Sequence, residues 1–201
     1  NLSAFIEWFV GIIQLYGPVS VFVGIIIEEV IVPIPSPIIP MAAGFILIPA
    51  GISVFDASLK IFFTIAIPGA IATGIGSLVI YAVAYYGGEA VIKKFQRFFG
   101  VTIDDIKKMS KKLGKGKKLW ATIVVLRAIP IFPTSAVTIA AGVLRLDIKK
   151  FFIYTVIGAI PRIFILGFVG WQIGESYVVI AESLGKYEDA ILGAVVIIVI
   201  I

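Results

Sequence analysis

The chain has 201 residues, a mean hydropathy of +1.12 and a formal net charge of +5. Its residues are 60% hydrophobic and 14% charged, against about 45–50% and about 25% in soluble proteins. Too few polar side chains remain to cover a soluble globule, which excludes a water-soluble enzyme and a disordered chain. With no Cys and no His, a disulfide scaffold, zinc sites and Ser-His-Asp triads are excluded as well. No cofactor or metal is expected, and the composition is that of an all-α integral membrane protein with a single transmembrane domain (1–201).

In chain order, Trp8–Ile27 is an uncharged apolar run bounded by Glu7 and Glu28-Glu29, long enough for one crossing at about 20 residues per span. It has neither the basic start nor the cleavage site of a signal peptide. Val30–Phe55 is also uncharged but carries Pro33, Pro35, Pro37, Pro40 and Pro49, which forbid a continuous helix. Ile61–Gly88 is a second span of 28 residues, with Gly87-Gly88 marking its end. Leu119–Leu144 carries Arg127 and then Pro130 and Pro133. Phe151–Gly174 is a third span interrupted only by Arg162, and a fourth runs from about 190. Irregular backbone at membrane depth survives only inside protein or beside water, so the two proline-broken stretches are expected to be re-entrant hairpins, the alternative being a pair of kinked full crossings. Four full spans and two hairpins result. Trp8, Trp120 and Trp171 are expected at the membrane interface, and Gly74, Gly76, Gly170 and Gly174 at close helix contacts.

The residues 93–118 hold ten basic and two acidic side chains, net +8. The positive-inside rule makes this segment cytoplasmic. Both termini then fall on the cytoplasmic side of the cell (plasma) membrane. Ile106, Met109 and Leu113 recur at helical spacing opposite Lys107, Lys108, Lys111 and Lys112, the pattern of an interfacial helix facing anionic lipid headgroups. A plain positive-inside loop with no specific ligand is the favoured reading of the segment. No aromatics interleave with the lysines, so nucleic acid is not an expected partner. A homo-oligomer is compatible with all of this.

The chain repeats itself. Glu29 through Ala42-Ala43-Gly44 lies 98 positions before Arg127 through Ala140-Ala141-Gly142, with Pro35 matching Pro133 and Ser36 matching Thr134. Lys60, Phe62, Phe63, Gly69 and Ala70 match Lys149, Phe151, Phe152, Gly158 and Ala159 at an offset of 89. Each unit (about 28–89 and about 126–175) is a hairpin followed by one span, so the second is inverted relative to the first. Inverted repeats with broken helices are the architecture of secondary transporters, with the site between the copies.

An Arg at the membrane centre costs roughly 2.5–3.5 kcal/mol on insertion scales, so Arg127 and Arg162 require a reason. Arg145, at the cytoplasmic end, can reach water. The repeat puts Glu29 opposite Arg127. The expected site is for an anionic headgroup, held by Arg127 and Arg162. Pro35, Ser36, Pro133 and Thr134 stand at the hairpin tips, where half-helix amides point at the same group. Glu28 or Glu29 would titrate and couple transport to protons or another cation. The alternative is that these charges only pair with one another or lie at the interface.

The Glu-Glu…Pro-x-Pro-Ser…Ala-Gly pattern of residues 28–44 and the Arg-x-x-Pro…Ala-Gly pattern of residues 127–142 resemble the DedA family of the SNARE-associated, VTT-domain superfamily. The resemblance covers roughly residues 20–175. It implies facing re-entrant hairpins and transport of polyprenyl phosphate or, in relatives, lipid scrambling. Two positions depart from the family pattern: Pro37 stands where many members are acidic, and Pro133 where many have a second Arg. An energy-independent scramblase, a small-solute or ion antiporter and a membrane scaffold remain the alternatives.

Overall fold

The computed structural model describes residues 11–31, 38–99, 102, 104, 108, 116–130 and 132–185. Among these residues the chain is helical, with no strand. A helical segment over 11–16 meets Gly17, at φ 50°, and Pro18 opens α1 (Pro18–Ile31). The expected Trp8–Ile27 span is therefore bent at Gly17-Pro18 in its described part, and the expected span from about 190 lies outside the described residues. Then follow α2 (Ile38–Leu47) and α3 (Val54–Ile61). After a π-helical turn (Phe62–Ala66) comes α4 (Ile67–Phe99), and then α5 (Lys117–Ala128), α6 (Thr134–Val143) and α7 (Ile148–Gly185).

Local chemistry explains several boundaries. Ser53 caps α3 by accepting from the Asp56 amide at 3.1 Å. The π turn comes just before Pro68, whose ring has no N–H and would crowd the carbonyl of Thr64 in an ordinary ladder. Widening the ladder, with the Ile67 amide donating to Phe62, relieves that clash. α6 ends in a left-handed residue, Arg145 at φ 51°, with the Leu146 amide donating to the Ala141 carbonyl at 3.0 Å. Asp147 then caps α7 through the Lys150 amide at 2.8 Å. α4 does not stop at Gly87-Gly88: Gly88 takes φ 55° and the helix continues to Phe99.

Two stretches, Val54–Gly88 and Ile148–Gly174, are long and apolar enough to cross a membrane. Their outward faces are apolar. Ile71, Ile75, Val79 and Val83 recur every four residues along α4, and Ile165, Val169 and Ile173 along α7, all exposed. Water would not tolerate such stripes; lipid tails match them. By contrast α2 and α6 have 10 residues each, about 15 Å of helix, half of a roughly 30 Å hydrocarbon layer.

The packing is reciprocal. α1 lies on α4 and α5 on α7, each first arm against the long helix of its own unit. α2 lies on α7 and α6 on α4, each second arm against the long helix of the other unit. Repeat-equivalent glycines make repeat-equivalent contacts. A Cβ on Gly44 of α2 would overlap the Gly167 carbonyl of α7, and one on Gly142 of α6 would lie 2.6 Å from the Tyr81 carbonyl of α4. A Cβ on Gly69 would lie 2.8 Å from Ile25 of α1, and one on Gly158 would lie 2.8 Å from the Val124 carbonyl of α5. Gly170 and Gly174 similarly abut Met41 and Phe45, the close contact expected of them. Trp171 differs from expectation: it is buried and its indole N–H donates to the Pro49 carbonyl at 3.1 Å. Trp120 is half-buried and stacks on Tyr154, and Trp8 lies outside the described residues.

Candidate functional site

The buried polar groups converge where four helices meet. Arg127, in the last turn of α5, is 0% exposed. Room for its backbone comes from Gly158 on α7, where a Cβ would lie 2.9 Å from the Arg127 Cβ. Its guanidinium sits over the Phe151 ring, with Cζ 5.5 Å from the centroid, and Phe151 stacks in turn on Tyr81 at 5.0 Å. One Nη donates to Thr138 Oγ1 on α6 at 2.6 Å, and that hydroxyl donates to the Thr134 carbonyl at 3.1 Å.

Glu29, near the end of α1, supplies the opposite charge. Gly76 of α4 makes its approach possible, since a Cβ there would lie 2.8 Å from the Glu29 Cβ. Ser77 Oγ donates to Glu29 Oε1 at 2.9 Å. The same Oε1 lies 3.9 Å from Arg127 Nη1. That is an ion pair without a hydrogen bond. At an effective dielectric near 20 the attraction is about 4 kcal/mol, against a desolvation cost of several kcal/mol per buried ion. The Nε and Nη1 of Arg127 have no hydrogen-bond partner among the described residues. A guanidinium with five N–H donors and a single hydrogen bond is short of acceptors.

Arg162 follows Pro161 inside α7 and is 9% exposed. Its Nη1 reaches the Phe132 carbonyl at 3.5 Å, the outer limit of a hydrogen bond. Both Glu28 and Glu29 act on it electrostatically, and Arg162 acts on Arg127. Two half-buried carboxylates and two buried guanidinium groups thus act on one another electrostatically. Pro133 precedes α6 and is exposed, while Thr134 opens that helix buried. Pro35 and Ser36 lie outside the described residues, as do Pro37, Lys107, Lys111 and Lys112; Lys108 is helical and exposed.

Of the expected residues, then, Arg127 and Glu29 come together, Thr134 joins them through Thr138, and Arg162 and Glu28 act on them electrostatically. Sequence reasoning missed Ser77, Thr138 and Phe151. Spacing of four from Thr134 was the signal for Thr138, whereas Ser77 is one of several hydroxyls in its span and carried none.

Chemically the arrangement is an under-satisfied cation with a displaceable carboxylate beside it. An anion bringing several acceptor oxygens would satisfy Arg127 better than Glu29 does. The sequence profile of the VTT domain matches residues 34–172. Undecaprenyl phosphate transporter A of Bacillus subtilis (strain 168) is 26% identical over 141 residues, covering 69% of this chain and 68% of that protein. No solved structure matches the chain.

Proposed function

Because the chain belongs to the VTT-domain family, we propose that it is a membrane transporter for a phosphate-bearing lipid of the polyprenyl-phosphate class. Arg127 binds the phosphate, Arg162 supplies a second positive charge, and Glu29 competes with the lipid for Arg127. Protonation of Glu29, assisted by its neighbour Glu28, weakens that competition and couples transport to protons. The observation that carries this reading is the fully buried Arg127, with one hydrogen bond and its carboxylate partner held at 3.9 Å. A soluble substrate would need a water-filled route, whereas the apolar outer stripes of α4 and α7 suit a ligand whose chain stays in the lipid.

The reciprocal packing supports an inverted repeat in which α1, most of it within the expected Trp8–Ile27 span, serves instead as the first arm of a re-entrant hairpin with α2, facing the α5–α6 hairpin around the site. The basic segment 93–118 then lies in the cytoplasm, where Lys107, Lys108, Lys111 and Lys112 meet anionic headgroups. Pro133 and Thr134 form the tip of the second hairpin at the site.

The test is reconstitution into liposomes with a labelled polyprenyl phosphate, with and without a pH gradient. Movement should follow the gradient and be lost in Arg127→Gln, while Glu29→Gln should remove the gradient dependence. Movement that ignores the gradient in both wild type and Glu29→Gln would identify a scramblase instead. No movement of any phosphate lipid would overturn the reading.

A further inference from the structure

One buried group at this site has no structural employment. Thr155, in the middle of α7, is 0% exposed, and its hydroxyl has no hydrogen-bond partner among the described residues. A threonine inside a helix ordinarily bonds the carbonyl one turn back, and this one does not. Its neighbours fix where it faces. Arg127 touches α7 twice: its Cβ lies against Gly158 and its guanidinium carbon over Phe151. Phe151, Thr155 and Gly158 follow one another at i, i+4 and i+7, on a single helix face. The Arg127 side chain therefore runs along α7 from Gly158 to Phe151 and passes Thr155 on the way. Its Nε, which lies between those two contacts, is one of the unpartnered atoms.

We propose that Thr155 is a ligand-binding residue of this site: its hydroxyl and the Arg127 Nε–H together hold one oxygen of an anionic phosphate group, an assignment that rests on the transport reading above. An N–H and a hydroxyl beside the same face of α7, neither with a partner among the described residues, leave a place for a shared acceptor. Buried polar atoms without partners destabilise a fold, so their persistence along one stretch of α7 points to a group that binds there. A phosphate oxygen fits, because it accepts several hydrogen bonds and carries the charge that Arg127 lacks. The source of the phosphate is either a lipid headgroup or the free anion.

Thr155→Val keeps the shape and removes the hydroxyl. Purified protein in detergent is titrated by calorimetry with dodecyl phosphate and, separately, with inorganic phosphate, for wild type, Thr155→Val, Thr155→Ser and Arg127→Lys. Without ligand, Thr155→Val should melt at a higher temperature than wild type, because an unsatisfied hydroxyl has gone. It should nevertheless bind dodecyl phosphate about tenfold more weakly, the loss of one charge-assisted hydrogen bond, while Thr155→Ser binds within about threefold of wild type. If inorganic phosphate binds with the same dependence on Thr155, the oxygen site stands and its ligand is the free anion. If Thr155→Val binds like wild type while Arg127→Lys is weakened, the gap holds only a structural water. That result overturns the role of Thr155 and leaves the transport reading intact. If neither probe binds wild type, or if Arg127→Lys also has no effect, both fall.

Discussion

Glu29 and Arg127 occupy equivalent positions of the two repeats, 98 residues apart, and their charged groups face each other at 3.9 Å. Each is admitted by a glycine on a long helix, Gly76 for the acid and Gly158 for the base. The same position in the two copies has thus taken opposite charges, and the pair spans the junction between the units.

Breaking this pair from one side should cost more than removing it altogether. Glu29→Leu leaves Arg127 buried without its counter-charge and is expected to destabilise the protein by about 3–5 kcal/mol. Glu29→Leu with Arg127→Leu should recover most of that loss. Chemical unfolding in detergent micelles checks the order of the three proteins; a double variant worse than the single would contradict the account.

The glycine contacts between units allow a graded prediction. Gly170→Ala places a methyl group on the Met41 backbone and should destabilise by about 3 kcal/mol or prevent accumulation of folded protein. Gly11→Ala meets no atom within 4 Å and should be neutral to within about 0.5 kcal/mol. Thermal melting of the two variants beside wild type decides it.

Trp171→Phe removes the N–H that donates to the Pro49 carbonyl but keeps most of the aromatic volume. A loss of about 1–3 kcal/mol is expected, since a buried carbonyl loses its donor. An interfacial tryptophan would show almost none, so unfolding measurements separate the two environments.

The absence of native cysteine makes accessibility mapping direct. Nitroxide labels at Ile75, Val79 and Ile165 should be reached by oxygen and not by a water-soluble nickel chelate, because these side chains project outward on apolar faces. Cysteines at Lys108 and Lys149 should react with an impermeant maleimide from one side of the membrane and a cysteine at Asp56 from the other. Labelling of Lys108 and Lys149 from opposite sides would exclude a re-entrant α5–α6 hairpin.

Much of this arrangement is legible before any coordinates. The desolvation cost of a mid-membrane arginine marks Arg127 and Arg162, and the offset of 98 points from Arg127 back to Glu29. Proline spacing marks the break between α5 and α6. What stays hidden depends on distance across the fold. Ser77 and Thr138 are ordinary hydroxyls whose meaning comes from the charged group each faces, and only the spacing of Thr138 from Thr134 hints at it. Trp171 reads as an interface residue because an indole suits both settings; only the position of Pro49 decides between them. Gly88 reads as a helix end, yet a left-handed glycine can also be carried within a long helix.

The exchange of second arms between units has a consequence for biosynthesis. Gly44 of α2 packs against Gly167 of α7, so about 120 residues must be made before that surface finds its partner. At about 5–20 residues per second the wait is roughly 6–25 s. Throughout it α2, a helix half as long as the bilayer core is thick, has only its smaller contacts with α1 and the π turn. The emerging half-protein is therefore a natural client for an insertase that shields short polar-ended helices, and a translational pause before α7 would prolong its exposure.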